Sequence, residues 1–162
     1  MRYQVKLLLA LLLPASAAMA HQHAMHMPQG FAFGQPAQET AVTRTIHVEA
    51  DDAMQLKFDA TDIRRGEVVK FVVHNSGQAL HEFTIGDDAF RRAHQRAMRK
   101  AMAGMHHHAA NVLSLKGGET GTVIWRFDPV RGRTVLFACY VPGHYEAGMY
   151  QRQQLLPPAT AD

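Results

Sequence analysis

The sequence predicts an all-β fold, a Greek-key β-sandwich carrying one inserted helix. Three observations predict it. Short runs of alternating apolar and polar residues recur between residues 43 and 156, separated by turns that hold glycine or proline. The strongest runs, Val69-x-Phe71-x-Val73 and Val123-x-Trp125-x-Phe127, place large apolar residues at every second position, the period of a sheet with one face in a core. One stretch, about 87–102, has helical spacing instead.

Arg2 and Lys6 precede the apolar run Leu7 to Leu13, and Ala18-Met19-Ala20 supplies a small-residue cleavage site. This pattern is that of a secretory signal peptide over residues 1–20. Seven apolar residues fall well short of the ~20 that a spanning helix needs, so no stable membrane insertion is expected. The mature chain would begin at His21, outside the cytoplasm. Losing Arg2 and Lys6 leaves 15 basic against 14 acidic side chains, a formal charge of +1. No concentrated basic patch remains, which argues against nucleic acid as a partner.

Residues 21–40 are rich in His, Met, Gln, Gly and Pro without periodicity, and read as a disordered arm. The folded domain is expected over 41–158. Thr43 to Glu49 and Met54 to Phe58 read as strands, and Arg64-Arg65-Gly66 as a turn. Glu67 to His74 follows, with Val69, Phe71 and Val73 inward and His74 toward solvent. Asn75-Ser76-Gly77 turns into a strand from Leu80 to Ile85, on which His81 shares the inward face with Phe83 and Ile85. Asp87 can cap a helix running to about Met102, part of an insert over 87–108. Along it Phe90, His94, Met98 and Met102 form one stripe at i, i+4 spacing. Val112 to Leu115, Thr120 to Phe127, Thr134 to Cys139 and a polar edge strand from Tyr150 to Leu156 complete the set.

The densest chemistry lies in Phe137-Ala-Cys-Tyr-Val-Pro-Gly-His-Tyr-Glu-Ala-Gly-Met149. The single cysteine, Cys139, is followed after four residues by His144, and after four more by Met149. With 11 His and 9 Met in 162 residues, chance places both at those offsets only about 0.4% of the time. A thiolate, an imidazole and a thioether from one loop suit a copper site that has two histidines and a cysteine near one plane and a weak axial methionine. His81 is the candidate second histidine, expected on a strand that faces the cysteine strand across the sandwich. A lone cysteine outside the cytoplasm also needs an explanation, and metal ligation is one.

The loop resembles that of the cupredoxins, the plastocyanin and azurin family, over roughly residues 40 to 157. The resemblance implies copper held by His81, Cys139, His144 and Met149, with His144 near the surface as the route for electrons. Those proteins commonly carry Asn directly after the first histidine, where it braces the copper loop. Here that residue is Glu82, and Glu82 and Asn75 are the expected bracing residues around the ligands.

Two further clusters exceed what an electron carrier needs. His21, His23, Met25, His26 and Met27 form the first, and the free amine, two amides and third-position imidazole of His21-Gln22-His23 would make a four-nitrogen Cu(II) cage. His94, Met98, Met102, Met105, His106, His107 and His108 form the second. The bland readings are a solvated arm in the first case and, for Met98 and Met102, a helix packing its apolar stripe on the sandwich. Together with the His-Glu-Phe-Thr-Ile-Gly strand and the Cys-Tyr-Val-Pro-Gly-His-Tyr-Glu-Ala-Gly-Met loop, these clusters make the chain similar to periplasmic copper-tolerance cupredoxins of the CopI type.

That similarity implies tolerance of excess copper in the periplasm, by sequestering copper or by converting Cu(I) to Cu(II). Copper ions are the expected cargo, and a periplasmic redox protein or copper exporter the expected partner. The alternative is a soluble electron carrier. An enzyme is not expected: no second cysteine for a binuclear centre is present, and Ala138 and Tyr140 flank Cys139 where a multicopper oxidase has histidines.

Overall fold

The computed structural model describes residues 31–100 (side chains to residue 96), 109–128 and 130–159. The expected signal peptide, the first His/Met cluster, and Met102, Met105 and His106 to His108 lie outside the described residues, as does the side chain of Met98. Among the described residues nine strands and one α-helix follow in order, with a short 3-10 turn at Glu39–Ala41: β1 (Gly34–Pro36), β2 (Arg44–Asp51), β3 (Gln55–Phe58), β4 (Val68–Asn75), β5 (His81–Gly86), α1 (Asp88–Lys100), β6 (Val112–Leu115), β7 (Thr120–Phe127), β8 (Thr134–Ala138) and β9 (Tyr150–Gln154). Among the described residues no helix is long and apolar enough to cross a membrane.

The strands form two sheets, β1-β7-β4-β2-β3 and β6-β5-β8-β9. Neighbours are antiparallel except β2 and β4, which run parallel with Ile46 opposite Phe71 and Val48 opposite Val73. Alternation delivers the core as expected: Ile46, Val48, Val69, Phe71, Val73, Trp125 and Phe127 on one sheet are buried against Phe83, Ile85, Val135 and Phe137 on the other. Phe71 joins the layers, its ring 5.4 Å from both Phe83 and Phe137. These two stack at 5.6 Å. Aromatic contacts of this kind add directionality to burial.

Ordered structure begins before residue 41, which corrects the expected extent of the arm. Residues 34–36 pair with β7, Gly34 opposite Phe127 and Pro36 opposite Trp125. Phe33 is buried and stacks on Trp125 at 5.5 Å, with Phe31 stacked on Phe33 at 4.9 Å. Gly34 is required here, because it sits at φ 138° and a Cβ would strike the Arg126 carbonyl oxygen.

The helix starts where expected. Asp87 Oδ1 accepts a hydrogen bond from the Phe90 amide at 2.7 Å, satisfying one of the otherwise unpaired first-turn donors. Phe90 packs against Leu136, Ala138 and Tyr140, on the face of β8 that points away from the core. Arg152 of β9 grips Asp88 with both terminal nitrogens, at 2.8 and 2.9 Å. So α1 lies over the outer face of the four-stranded sheet, next to the strand ends that carry the site.

Candidate metal centre

β5 and β8 are neighbours in one sheet, with Thr84 opposite Ala138. His81 opens β5 and Cys139 directly follows β8, so the two candidates come from adjacent strands. They do not come from strands facing each other across the sandwich, as the sequence had suggested. Main-chain bonding already ties the strands together there: the Glu82 amide donates to Cys139 Sγ at 3.3 Å.

The β8–β9 connection carries the other two. The Cys139 amide donates to the Met149 carbonyl, the Met149 amide to the His144 carbonyl, and the His144 amide to the Val141 carbonyl, each at 3.0 Å. Gly143, at φ 88°, takes a left-handed conformation that a Cβ would oppose. The loop therefore folds back on its own start, and the backbone of Met149 links Cys139 to His144.

The donors converge. One ligand atom from each of His81, Cys139 and His144 lies within 4.8 Å of the others. His81 Nδ1 and His144 Nδ1 are 3.1 Å apart, and Cys139 Sγ is 3.4 Å from His144 Nδ1. Donors about 2.0–2.3 Å from one shared ion take up spacings of this size, so the residues present fit a small first-row metal. Met149 is fully buried in the same cluster as Cys139. Cys139 and His81 are also buried, and His144 is half-buried between exposed Gly143 and half-buried Tyr145.

The electrostatics favour a bound cation. Burial pushes the Cys139 thiol up to about 11, opposed by the amides of Glu82 and Val141. A thiolate there needs a positive partner. Burial, and then the neighbouring His81, hold His144 below its ordinary value, which keeps its ring neutral and able to ligate.

Asp52 belongs to the site and sequence reasoning missed it. Its Oδ1 lies 3.1 Å from His81 Nε2, the ring nitrogen turned away from the cluster. A carboxylate on the outer nitrogen fixes the ring's tautomer and direction. Asp52 sits on the β2–β3 hairpin, where Asp51 Oδ1 accepts from the amides of Ala53 and Gln55. It also accepts from the amides of Gln78 at 2.7 Å and Ala79 at 3.2 Å, which with His81 hold its carboxyl below the usual range. Gly77 allows that approach, since a Cβ would collide with Asp52 Oδ1.

Asn75 is buried and braces the segment leading to His81. Its Nδ2 donates to the carbonyls of Ala79 and Leu115, and its Oδ1 accepts from the Gly77 amide. Glu82 is buried on the opposite face of β5 from His81. Its side chain meets Ser114 Oγ at 3.5 Å and His94 Nε2 at 3.8 Å. His94 is only 8% exposed and stacks on Phe90 at 5.4 Å, so it sits on the inward face of α1 and not on the surface. Tyr140, Tyr145 and Tyr150 stack in a column, at 5.6 and 4.7 Å, from beside Cys139 to an exposed ring.

No protein-family model matches the chain. It is 36% identical over 130 residues to the copper-resistant cuproprotein CopI of Rubrivivax gelatinosus, covering 80% of this chain and 74% of that one. The protein of the same name from Pseudomonas aeruginosa is 31% identical over 179 aligned positions, covering 93% and 94%. Among solved structures, reduced auracyanin from Roseiflexus castenholzii superposes with a TM-score of 0.54 at 19% identity, over 72% of this chain and 99% of that one. That likeness is one of fold.

Proposed function

Since the chain belongs to the CopI family of copper-resistant cuproproteins, we propose that it binds copper at His81, Cys139, His144 and Met149 and supports tolerance of copper in the periplasm. The observation that carries this reading is the convergence of one imidazole nitrogen from each histidine with the single thiol inside 4.8 Å. Such a donor set, with a buried methionine on the same loop, suits copper better than the harder ions.

Bound copper supplies one-electron exchange between Cu(I) and Cu(II). The chain's own residues do the rest. Asp52 and the Glu82 amide fix His81 and Cys139 before any ion arrives, so little has to move on loading. Burial of Cys139, His81 and Met149 keeps bulk water off three of the four donors. The half-buried His144 gives the centre one edge toward solvent, where an outer-sphere partner or captured Cu(I) can exchange an electron. The His/Met clusters around His21 to Met27 and Met98 to His108 would collect that cargo.

Growth of a deletion strain in rising copper, complemented by wild type or by Cys139→Ala, tests the reading. Hypersensitivity rescued by wild type alone is expected. Equal rescue by Cys139→Ala would overturn a role for the centre and leave the clusters as the working part. The half-exposed His144 favours one second reading, a soluble electron carrier. Reversible one-electron voltammetry combined with normal growth of the deletion strain in copper would select it.

A further inference from the structure

Two of the eleven histidines, His47 and His74, belong to neither the centre nor the His/Met clusters. They lie on the outer face of the five-stranded sheet, whereas the centre is held by the ends of β5 and β8 in the other sheet. The parallel pairing of β2 with β4 sets Glu49 opposite His74 and His47 opposite Val72. Along β2, inward residues alternate with His47 and Glu49, which are exposed, and His74 is exposed on β4. Directly opposed side chains in such a sheet start about 5 Å apart and diagonal ones about 7–8 Å, within reach of a common ion for two imidazoles and a carboxylate. All three line one open depression of about 430 Å³, floored by Val48, Phe58 and Val72.

We propose that His47, Glu49 and His74 form a second metal site, of the nitrogen–oxygen type that takes Cu(II). Each donor residue is anchored by a hydrogen bond that leaves another of its atoms for the ion. His74 Nδ1 lies 3.0 Å from Thr120 Oγ1. The His47 amide donates to Asp59 Oδ1 at 2.9 Å, and its Nδ1 lies 3.6 Å from Asp59 Oδ2. Glu49 Oε1 accepts from Ser76 Oγ at 3.0 Å. Both rings thus present Nε2, and Glu49 its second oxygen. Partners of this sort on the non-ligating atom orient ligands in established metal sites.

Charge points the same way. Among the described residues Lys57 is the one Lys or Arg that lines the depression; it is engaged at 2.7 Å by Asp51, while Glu49 and Asp59 leave the rim acidic. Imidazole and carboxylate without sulfur prefer Cu(II) over Cu(I), and among divalent first-row ions copper binds such sets most tightly. The three donors are not yet gathered as those of the centre are, so closure requires rotation of exposed side chains, which have the freedom for it. The site needs nothing from the cupredoxin-type centre and stands or falls apart from it.

The test is equilibrium dialysis of the full chain at buffered free Cu(II), comparing wild type with His47→Ala, His74→Ala and the double variant. The absorption band of the centre serves as the control for folding and for the first site. One Cu(II) fewer per chain in each single variant, no further loss in the double variant and an unchanged band are expected, with Glu49→Gln weakening the same equivalent about ten-fold. Unchanged stoichiometry in the double variant would overturn the site and leave two solvated histidines. Loss in only one single variant would overturn the shared chelate in favour of a lone imidazole.

Discussion

Asp52 precedes His81 by 29 residues, yet its carboxylate takes the outer nitrogen of that ring and two amides of the turn leading into it. One side chain thus fixes both the direction of a candidate ligand and the backbone that carries it. Removing such a partner typically costs 10–100-fold in metal affinity. Asp52→Ala should fall in that range, about 10–100-fold weaker, in competition with a copper chelator, while Asp52→Asn, which can still accept from the amides, should lose less. Equal affinity in Asp52→Ala would limit this residue to the turn. The four candidate ligands were legible because three share one loop at fixed spacing and the fourth lies on an alternating strand. Asp52 was not legible, because an exposed hairpin aspartate carries no local signal and only the approach of two hairpins gives it a role. Glu82 makes a related point. The cupredoxin resemblance implies an asparagine at this position, but the bond to Cys139 Sγ comes from the main-chain amide, and any residue other than proline supplies that.

Elements with strong alternation were readable to within a residue or two: β4 and β7 occupy the positions that their apolar period indicates. β1 was not, because Gly-Gln-Pro has no period and sits beside a compositionally biased stretch. What places it is tertiary, the stacking of Phe31 on Phe33 and of Phe33 on Trp125, and the bond from Trp125 Nε1 to the Phe33 carbonyl at 3.5 Å. Phe33 is 2% exposed, and Phe→Ala at such a site costs about 3–5 kcal/mol. Phe33→Ala should therefore lower the melting temperature by roughly 10 °C or more in a domain of this size. A shift of a degree or two would show that residues 31–36 rest on the sandwich without stabilising it. The sequence pointed to the start of α1 through Asp87. Its seat on the outer face of the four-stranded sheet depends on Phe90 and on the Asp88–Arg152 pair, whose partners lie too far apart in the chain to be read together.

At the scale of the molecule, depressed carboxylates tie the connections down. Asp51 is held low first by Lys57, Asp62 by Arg44, Asp88 by Arg152, and Asp128 by the amides of Arg131 and Val130. These contacts close the β2–β3 hairpin, join the segment before β4 to β2, fix α1 to β9, and shape the β7–β8 turn. A carboxyl whose folded value lies below its unfolded 3.8 binds protons more readily when unfolded. Its contribution is complete above that value and disappears as pH falls through the lower, folded one. His144 would blur the result in the metal-free protein. Its value is lowered from 6.5, so it adds a separate loss of stability as pH falls below 6.5. In a His144→Ala background the melting temperature should stay level from pH 7 to about 5 and decline below about 4. Adding Asp88→Asn should flatten part of that decline, with a small cost at pH 7, because the pair it breaks is exposed and such pairs are weak. A decline centred between pH 6 and 7 in the same background would instead assign the acid sensitivity to another histidine, and the carboxylate contacts would then be geometry without a stabilising share.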